Sequence, residues 1–163
     1  MGAEAGRVAN KAKILGEAGF DQVAYEDFVE TTIDLIKKLP FMTVHDLEKA
    51  MNVPETSNSV VVFFRLLSSA WIRTHPDDFA AFLETDVPEY CSGQVEAFGK
   101  EADEITLASL VAAIGVQTAV WYCDSNEGNA NMYKFEPKKQ ETDLEGVQVN
   151  LLYLVGHYEL LHT

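Results

Sequence analysis

The sequence predicts an α+β fold, with N-terminal helices packed on a small C-terminal mixed or antiparallel sheet. Three observations predict it. Apolar residues recur at helical spacing through the first two thirds of the chain, and after Gly115 the period changes to extended runs. Helices first and strands last is the order of an α+β domain rather than of alternating βα units. The composition is globular: 163 residues, 47% hydrophobic and 23% charged, enough chain to bury a core without disulfide or metal staples. No repeat, low-complexity tract or linker interrupts it, so a single domain over 1–163 is expected.

Taken in order, residues 4 to 18 predict a modest helix that stops at Gly19. In "YEDFVETTIDLIKKL" the residues Tyr25, Phe28, Val29, Ile33, Ile36 and Leu39 share a helical face. Lys37 and Lys38 sit in the last turn as the macrodipole prefers, and Pro40 ends the helix. Thr43 with Asp46 opens "TVHDLEKAMN" as a capping box. The polar residues at 54 to 59 predict a loop. "SVVVFFRLLSSAWIRTH" is too long for one strand and apolar all round, so it predicts a buried central helix. Pro76 starts a helix carrying Phe79, Phe82 and Leu83 on one face, and Pro88 starts another through Cys91 and Val95. Asp103 caps "EITLASLVAAIG", which closes at Gly115. Strands follow at 116–123, 132–135, 147–155 and 158–162.

Several functions are disfavoured at once. The longest apolar runs, "VVVFF" and "LLYLV", fall far short of the roughly 20 residues that span a bilayer. The first twenty residues have no continuous apolar segment of a signal peptide, and Gly6 stands where a myristoylation motif needs Ser or Thr. No membrane partner is therefore expected, and a net charge of −14 repels phosphate backbones, so no nucleic-acid partner is expected either. Cys91 and Cys123 lack CxxC spacing, which fits free thiols in a reducing cytoplasmic or nuclear setting.

The chemistry-bearing stretch is "LVGHYELL", residues 154 to 161. On a strand, His157 and Glu159 point to one face and Tyr158 to the other. A carboxylate so placed can accept from Nδ1–H, fix the tautomer and leave Nε2 as a general base. Gly156 frees the backbone to bend just before the pair. The same spacing also describes a satisfied histidine at a strand turn beside an exposed carboxylate, and spacing alone does not choose between them.

The ending "VNLLYLVGHYELLHT" resembles the otubain branch of the ovarian-tumour (OTU) cysteine peptidases, whose chains typically close on a strand, Gly-His-Tyr-Asp and a short apolar run. Further stretches resemble that family in the same order: "GFDQVAYEDFVETTIDLI", "VVVFFRLLSSAWIR", "FAAFLE", "EYCSGQVEAFGKEADEITLASLVAAIGV" and "VWYCDSNEG". The likeness runs from about Lys11 to the end. It implies an OTU peptidase fold and a ubiquitin thioesterase, in which a cysteine thiolate attacks the isopeptide carbonyl and histidine moves the proton. It implies His157 as catalytic histidine, with Glu159 where Asp is usual, and as partners ubiquitin, ubiquitin conjugates and ubiquitin-conjugating enzymes. Neither cofactor nor metal is implied. Glu for Asp adds a methylene, and a shift of about 1 Å can cost on the order of 10²-fold where positioning is critical.

One departure is larger. The family's nucleophile lies in an Asp-Gly-Asn-Cys run upstream of the segment that begins here near Lys11, and no such run occurs in these 163 residues. An N-terminally truncated domain is therefore expected. Three accounts stay open: an incompletely predicted gene product or fragment of an active enzyme, a pseudoenzyme module that binds ubiquitin or a ubiquitin-pathway partner without cleaving, or a recruited cysteine that gives a different activity. Cys91 and Cys123 both read as buried structural thiols. A zinc site from Cys123, His157, Glu159 and His162 lacks ligand spacing. His45 and His75 read as surface residues, Trp71 and Trp121 as core anchors. Glu101 and Asp103 lie where the family has its cleft, and equally suit a solvated loop and a helix cap.

Overall fold

The computed structural model describes residues 3–123, 131–137 and 146–161. They fall into two compact units, residues 1–100 and 101–163. The first is helical, and the second carries one helix and a sheet.

In the first unit the initial helix is two pieces, α1 (Ala3–Lys11) and α2 (Lys13–Glu17), rather than one. The ladder tightens at Ala12, whose carbonyl accepts from Leu15 N, three residues on. Helix α3 (Gln22–Lys38) is capped by Asp21, whose side chain accepts from Val23 N, and it runs into a 3₁₀ turn, Leu39–Phe41, that contains Pro40. Helix α4 (Val44–Met51) has the complete Thr43–Asp46 capping box.

The predicted loop at 54–59 is instead the start of α5 (Pro54–Thr74). Pro54 occupies the first turn, where its fixed φ suits a helix and its missing N–H costs nothing. The serines that suggest a loop donate to the preceding turn, Ser57 Oγ to Val53 O at 3.2 Å and Ser59 Oγ to Glu55 O at 2.7 Å. Burial is concentrated at Phe63 and in the second half of the helix, continuously from Leu67 to Ile72, while Val61 near its start is 41% exposed. Helices α2, α3 and α4 pack on α5. Burying Leu15, Phe63, Leu67 and Ile72 completely contributes roughly 1.5–3 kcal/mol each.

The expected helix from Pro76 shortens to one turn, α6 (Pro76–Phe79), and a 3₁₀ turn, Ala80–Phe82. So brief an element sustains no apolar stripe, and Phe82 is 73% exposed. Asp86 caps α7 (Val87–Tyr90), which continues as a π-helical turn, Cys91–Val95, with both terminal side chains buried. That turn packs against α5. Glu96 just beyond it is held by α5: one carboxylate oxygen accepts from Ser69 Oγ at 2.5 Å and from Arg73 Nη2 at 2.8 Å. Arg65, two turns earlier, donates to the carbonyls of Val95 and Lys100.

In the second unit, Asp103 caps α8 (Glu104–Ile114), accepting from Thr106 N at 2.8 Å and Thr106 Oγ1 at 2.7 Å. Gly115 ends it at φ 71°, a left-handed conformation that glycine adopts without a Cβ penalty. The sheet has four strands in the order β2-β1-β3-β4: β1 (Gln117–Tyr122), β2 (Asn131–Phe135), β3 (Gln148–Leu154) and β4 (His157–Leu160). It is mixed, with β1 parallel to β3 and the two outer pairings antiparallel. Thr118, Ala119 and Val120 of the inner strand β1 are buried in succession, so that strand is covered on both faces.

Glu96 tests this packing. Glu96→Ala strands the Arg73 guanidinium, three-quarters buried beside Ser69, without its carboxylate. The expected outcome is a loss of about 2 kcal/mol of unfolding free energy by urea titration.

Candidate functional site

The candidate site residues come from the β3–β4 hairpin. Leu154 pairs with His157, so the connection is the two residues Val155 and Gly156. Only Gly156 takes a positive φ, 80°, and Val155 does not, which is the pattern of a type II turn with glycine second. An alanine there would strain the backbone by roughly 1–2 kcal/mol, so Gly156 sets where β4 begins.

His157 and Glu159 leave one face of β4, as alternation predicts, and Nε2 of His157 lies 3.4 Å from Oε1 of Glu159. The nitrogen differs from expectation: the carboxylate faces Nε2, not Nδ1. Residues two apart on a strand are separated by roughly 6.8 Å. A long glutamate reaching along that gap meets the outer ring nitrogen, while Nδ1 stays close to the backbone. Both side chains are more than half exposed, 62% and 57%.

Cross-strand register gives the surroundings of the pair. Leu154 lies opposite His157, Leu152 opposite Glu159, and Trp121 beside Leu152 on β1. Trp121 is 36% exposed, so it is not the core anchor expected of it, whereas Trp71 is buried at 5%. Trp121 belongs to the row that faces away from the tyrosine side of the sheet, and that row carries the pair.

The opposite face carries a feature that sequence reasoning missed. Tyr158 packs tilted at 4.7 Å against Tyr153, Tyr153 tilted at 5.0 Å against Tyr122, and Tyr122 edge-on at 5.1 Å with Tyr133, one tyrosine from each strand. The Tyr158 hydroxyl donates to the carbonyl of Ala102 at 3.2 Å. Burial, then the neighbouring phenols of Tyr122 and Tyr153 and the carboxylates of Glu101 and Glu104, push the Tyr158 hydroxyl up to about 12. Burial followed by Glu104 raises Tyr122 as well. The signal was present as tyrosines at 122, 133, 153 and 158, but only the pairing register aligns them.

The cysteines divide. Cys91 is buried as expected, with Sγ 3.9 Å from the Ser69 carbonyl, and burial pushes its thiol up, away from the reactive thiolate. Cys123 is exposed, which overturns its reading as a buried thiol. It follows β1 directly, and its N–H donates to Tyr153 O at 3.1 Å, so the ladder reaches it. Leu154 of β3 comes between it and His157, and two strand spacings separate their backbones by roughly 10 Å. The sheet does not bring that sulfur to the imidazole.

The remaining candidates resolve simply. His45 is exposed and contacts Glu48 at 3.6 Å. His75 is no free surface residue: its ring stacks on Trp71 at 4.1 Å, and Nδ1 lies 3.1 Å from the Trp71 carbonyl. Asp103 is a helix cap, and Glu101 lies near enough to Tyr158 to act on its phenol. His162 lies outside the described residues. Among the described residues no three His, Cys, Asp or Glu gather as a metal-holding group, and no helix is long and apolar enough to cross a membrane.

The family described as Peptidase C65 Otubain matches residues 2–163. Ubiquitin thioesterase OTUB1 of Homo sapiens is 34% identical over 157 residues, covering 94% of this chain and 56% of that protein. Ubiquitin thioesterase OTUB2 of Homo sapiens is 30% identical over 162 residues, covering 96% of this chain and 66% of that protein. This chain thus spans between half and two thirds of the length of these relatives. A solved assembly of h/ceOTUB1 with ubiquitin aldehyde and UBC13~Ub superposes with a TM-score of 0.82 at 24% identity, over 97% of this chain and 63% of that one, which shows a shared fold.

Two outcomes are expected from these environments. A thiol reagent applied to the native protein should modify Cys123 and reach Cys91 only on unfolding, as read by peptide mass spectrometry. The Tyr158 phenol is raised in the folded state, so its contribution to stability is complete below pH about 10 and is lost as pH rises toward about 12. Urea melts across that range should show falling stability, with a shallower fall in Tyr158→Phe.

Proposed function

The chain belongs to the otubain family, Peptidase C65, and from that premise we propose that it serves a ubiquitin thioesterase: cysteine-type hydrolysis of the isopeptide bond between the C-terminus of ubiquitin and a lysine. His157 is the general base and Glu159 orients it. The observation that carries this reading is the His157–Glu159 pair, on one strand face and 3.4 Å apart, in a chain with an otubain match over residues 2–163. In the proposed step Nδ1 of His157 takes the proton of the attacking thiol. The thiolate forms a thioester with the ubiquitin carboxyl carbon, and the imidazolium returns the proton to the departing lysine amine. Water then hydrolyses the thioester, and the thiol is regenerated. Glu159 at Nε2 orients the ring, the role that the third residue of a triad plays.

The attacking thiol in this reading comes from an Asp-Gly-Asn-Cys segment, a run that residues 1–163 do not contain. Solved relatives hold ubiquitin aldehyde together with UBC13~Ub or UBCH5B~Ub, which supports ubiquitin, its conjugates and ubiquitin-conjugating enzymes as partners. The two free thiols support a reducing compartment, cytoplasmic or also nuclear. A second reading, ubiquitin binding without cleavage, is favoured by the thiols themselves: Cys91 is buried and Cys123 stands two strands from His157.

The test is the complete protein with a fluorogenic ubiquitin C-terminal amide and a ubiquitin C-terminal electrophile. His157→Ala should lower kcat by about 10²–10⁴-fold, and Glu159→Ala by a smaller factor, both with ubiquitin binding retained. Binding without turnover or labelling favours the second reading. Labelling that disappears in Cys123→Ala overturns the assignment of the thiol to the Asp-Gly-Asn-Cys segment.

A further inference from the structure

The His157–Glu159 pair is oriented internally but not anchored internally. Its two members belong to one strand of four residues, at the edge of the sheet, with β3 as its one neighbouring strand among the described residues. Both side chains are more than half exposed, and the ion-pair contact between them fixes neither relative to any other element. Wherever the backbone of β4 moves, the pair moves with it.

Tyr158, between them in sequence, is what ties that backbone to another part of the fold. Its side chain leaves the opposite face, its ring lies 4.7 Å from that of Tyr153, and its hydroxyl donates to Ala102 O, 56 residues upstream. Ala102 immediately precedes Asp103, the cap of α8, so that carbonyl belongs to a backbone segment already held by the helix end. Within this unit, the bond joins the edge strand to the entry of the helix.

We propose that Tyr158 is a positioning residue for the His157–Glu159 pair, its hydroxyl on the Ala102 carbonyl fixing where β4 presents the imidazole. This rests on the reading of His157 as general base. Displacement of a base by even 1 Å lowers the rate steeply because attack and proton transfer need aligned atoms. The ring alone, packed on Tyr153, holds the strand's register. The hydroxyl supplies the remaining restraint, against tilt of an edge strand hydrogen-bonded on one side only. A positional defect of this kind acts on the chemical step and not on substrate binding, so it lowers kcat and leaves KM in place.

The experiment compares the complete protein with Tyr158→Phe, which keeps the ring and removes the hydroxyl, and with Tyr133→Phe, on the far edge strand, as control. Amide hydrogen exchange across β4 should quicken about 2- to 12-fold in Tyr158→Phe, the range that corresponds to one net hydrogen bond, and stay unchanged in Tyr133→Phe. Hydrolysis of the fluorogenic ubiquitin amide, assayed well below the melting temperature of each variant, should show kcat reduced about tenfold in Tyr158→Phe with KM unaltered. Unchanged exchange in β4 overturns the anchoring. Faster exchange with wild-type kcat, or a change confined to KM, overturns the positioning role while leaving His157 as the base. Loss of activity in neither His157→Ala nor Tyr158→Phe overturns the functional reading itself, and the exchange measurement separates that failure from failure of the anchor.

Discussion

The pairing register of β3 with β4 is the constraint on which the site depends. Side chains on a strand alternate, so a slip of one residue would carry His157 and Glu159 to the tyrosine face and bring Tyr158 out in their place. Two devices fix the register. Gly156 supplies the positive φ that closes a two-residue turn, and the rings of Tyr153 and Tyr158, directly opposite one another, meet at 4.7 Å in the observed pairing. The tyrosine row extends the same constraint to β1 and β2, so the face of the pair is set by contacts on the other side of the sheet.

The helical unit has its own organising element. Helix α5 receives α2, α3 and α4, and it also holds the backbone that follows the π turn. A π turn adds a residue to the helical circuit and aims the following chain differently. Here the residues that emerge are caught at once, Glu96 by Ser69 and Arg73, and the carbonyls of Val95 and Lys100 by Arg65. Cys91 lies in the same packing, its thiol 3.9 Å from the Ser69 carbonyl, and its burial there is what pushes the thiol up. Bonds from α5 thus determine the course of the chain from Cys91 to Lys100.

Much of this was legible in the sequence where a local rule was sufficient. The Thr43–Asp46 box, the Asp103 cap, the Gly115 terminus and the change of period after it all depend on neighbours within four residues. The placement of His157 and Glu159 on one face follows from alternation alone. The failures share a cause. "PETSNS" looks like a loop because Ser and Asn compete with the backbone, yet in α5 the serine hydroxyls donate to the turn before them. Trp121 and Cys123 look like core because they end an apolar run, but the face a residue takes and what covers it depend on strands 30 residues away. The tyrosine row is invisible until the register is known.

The exposure of the pair bears on its chemistry. An ion pair between side chains as solvated as His157 and Glu159 contributes little by itself, about 0–1 kcal/mol, because water competes for both partners. A proton relay needs the same contact in a drier setting, where the carboxylate stabilises the imidazolium far more strongly. In the proposed reaction that setting forms only when the thiol-bearing segment and the substrate cover the face, beside Trp121, Leu152 and Leu154. The longer arm of glutamate reaches the outer nitrogen, Nε2, and leaves Nδ1 on the backbone side of the ring. The fold sets the face and the contact of the two side chains in advance, and in the proposed reaction the drier setting arises on assembly.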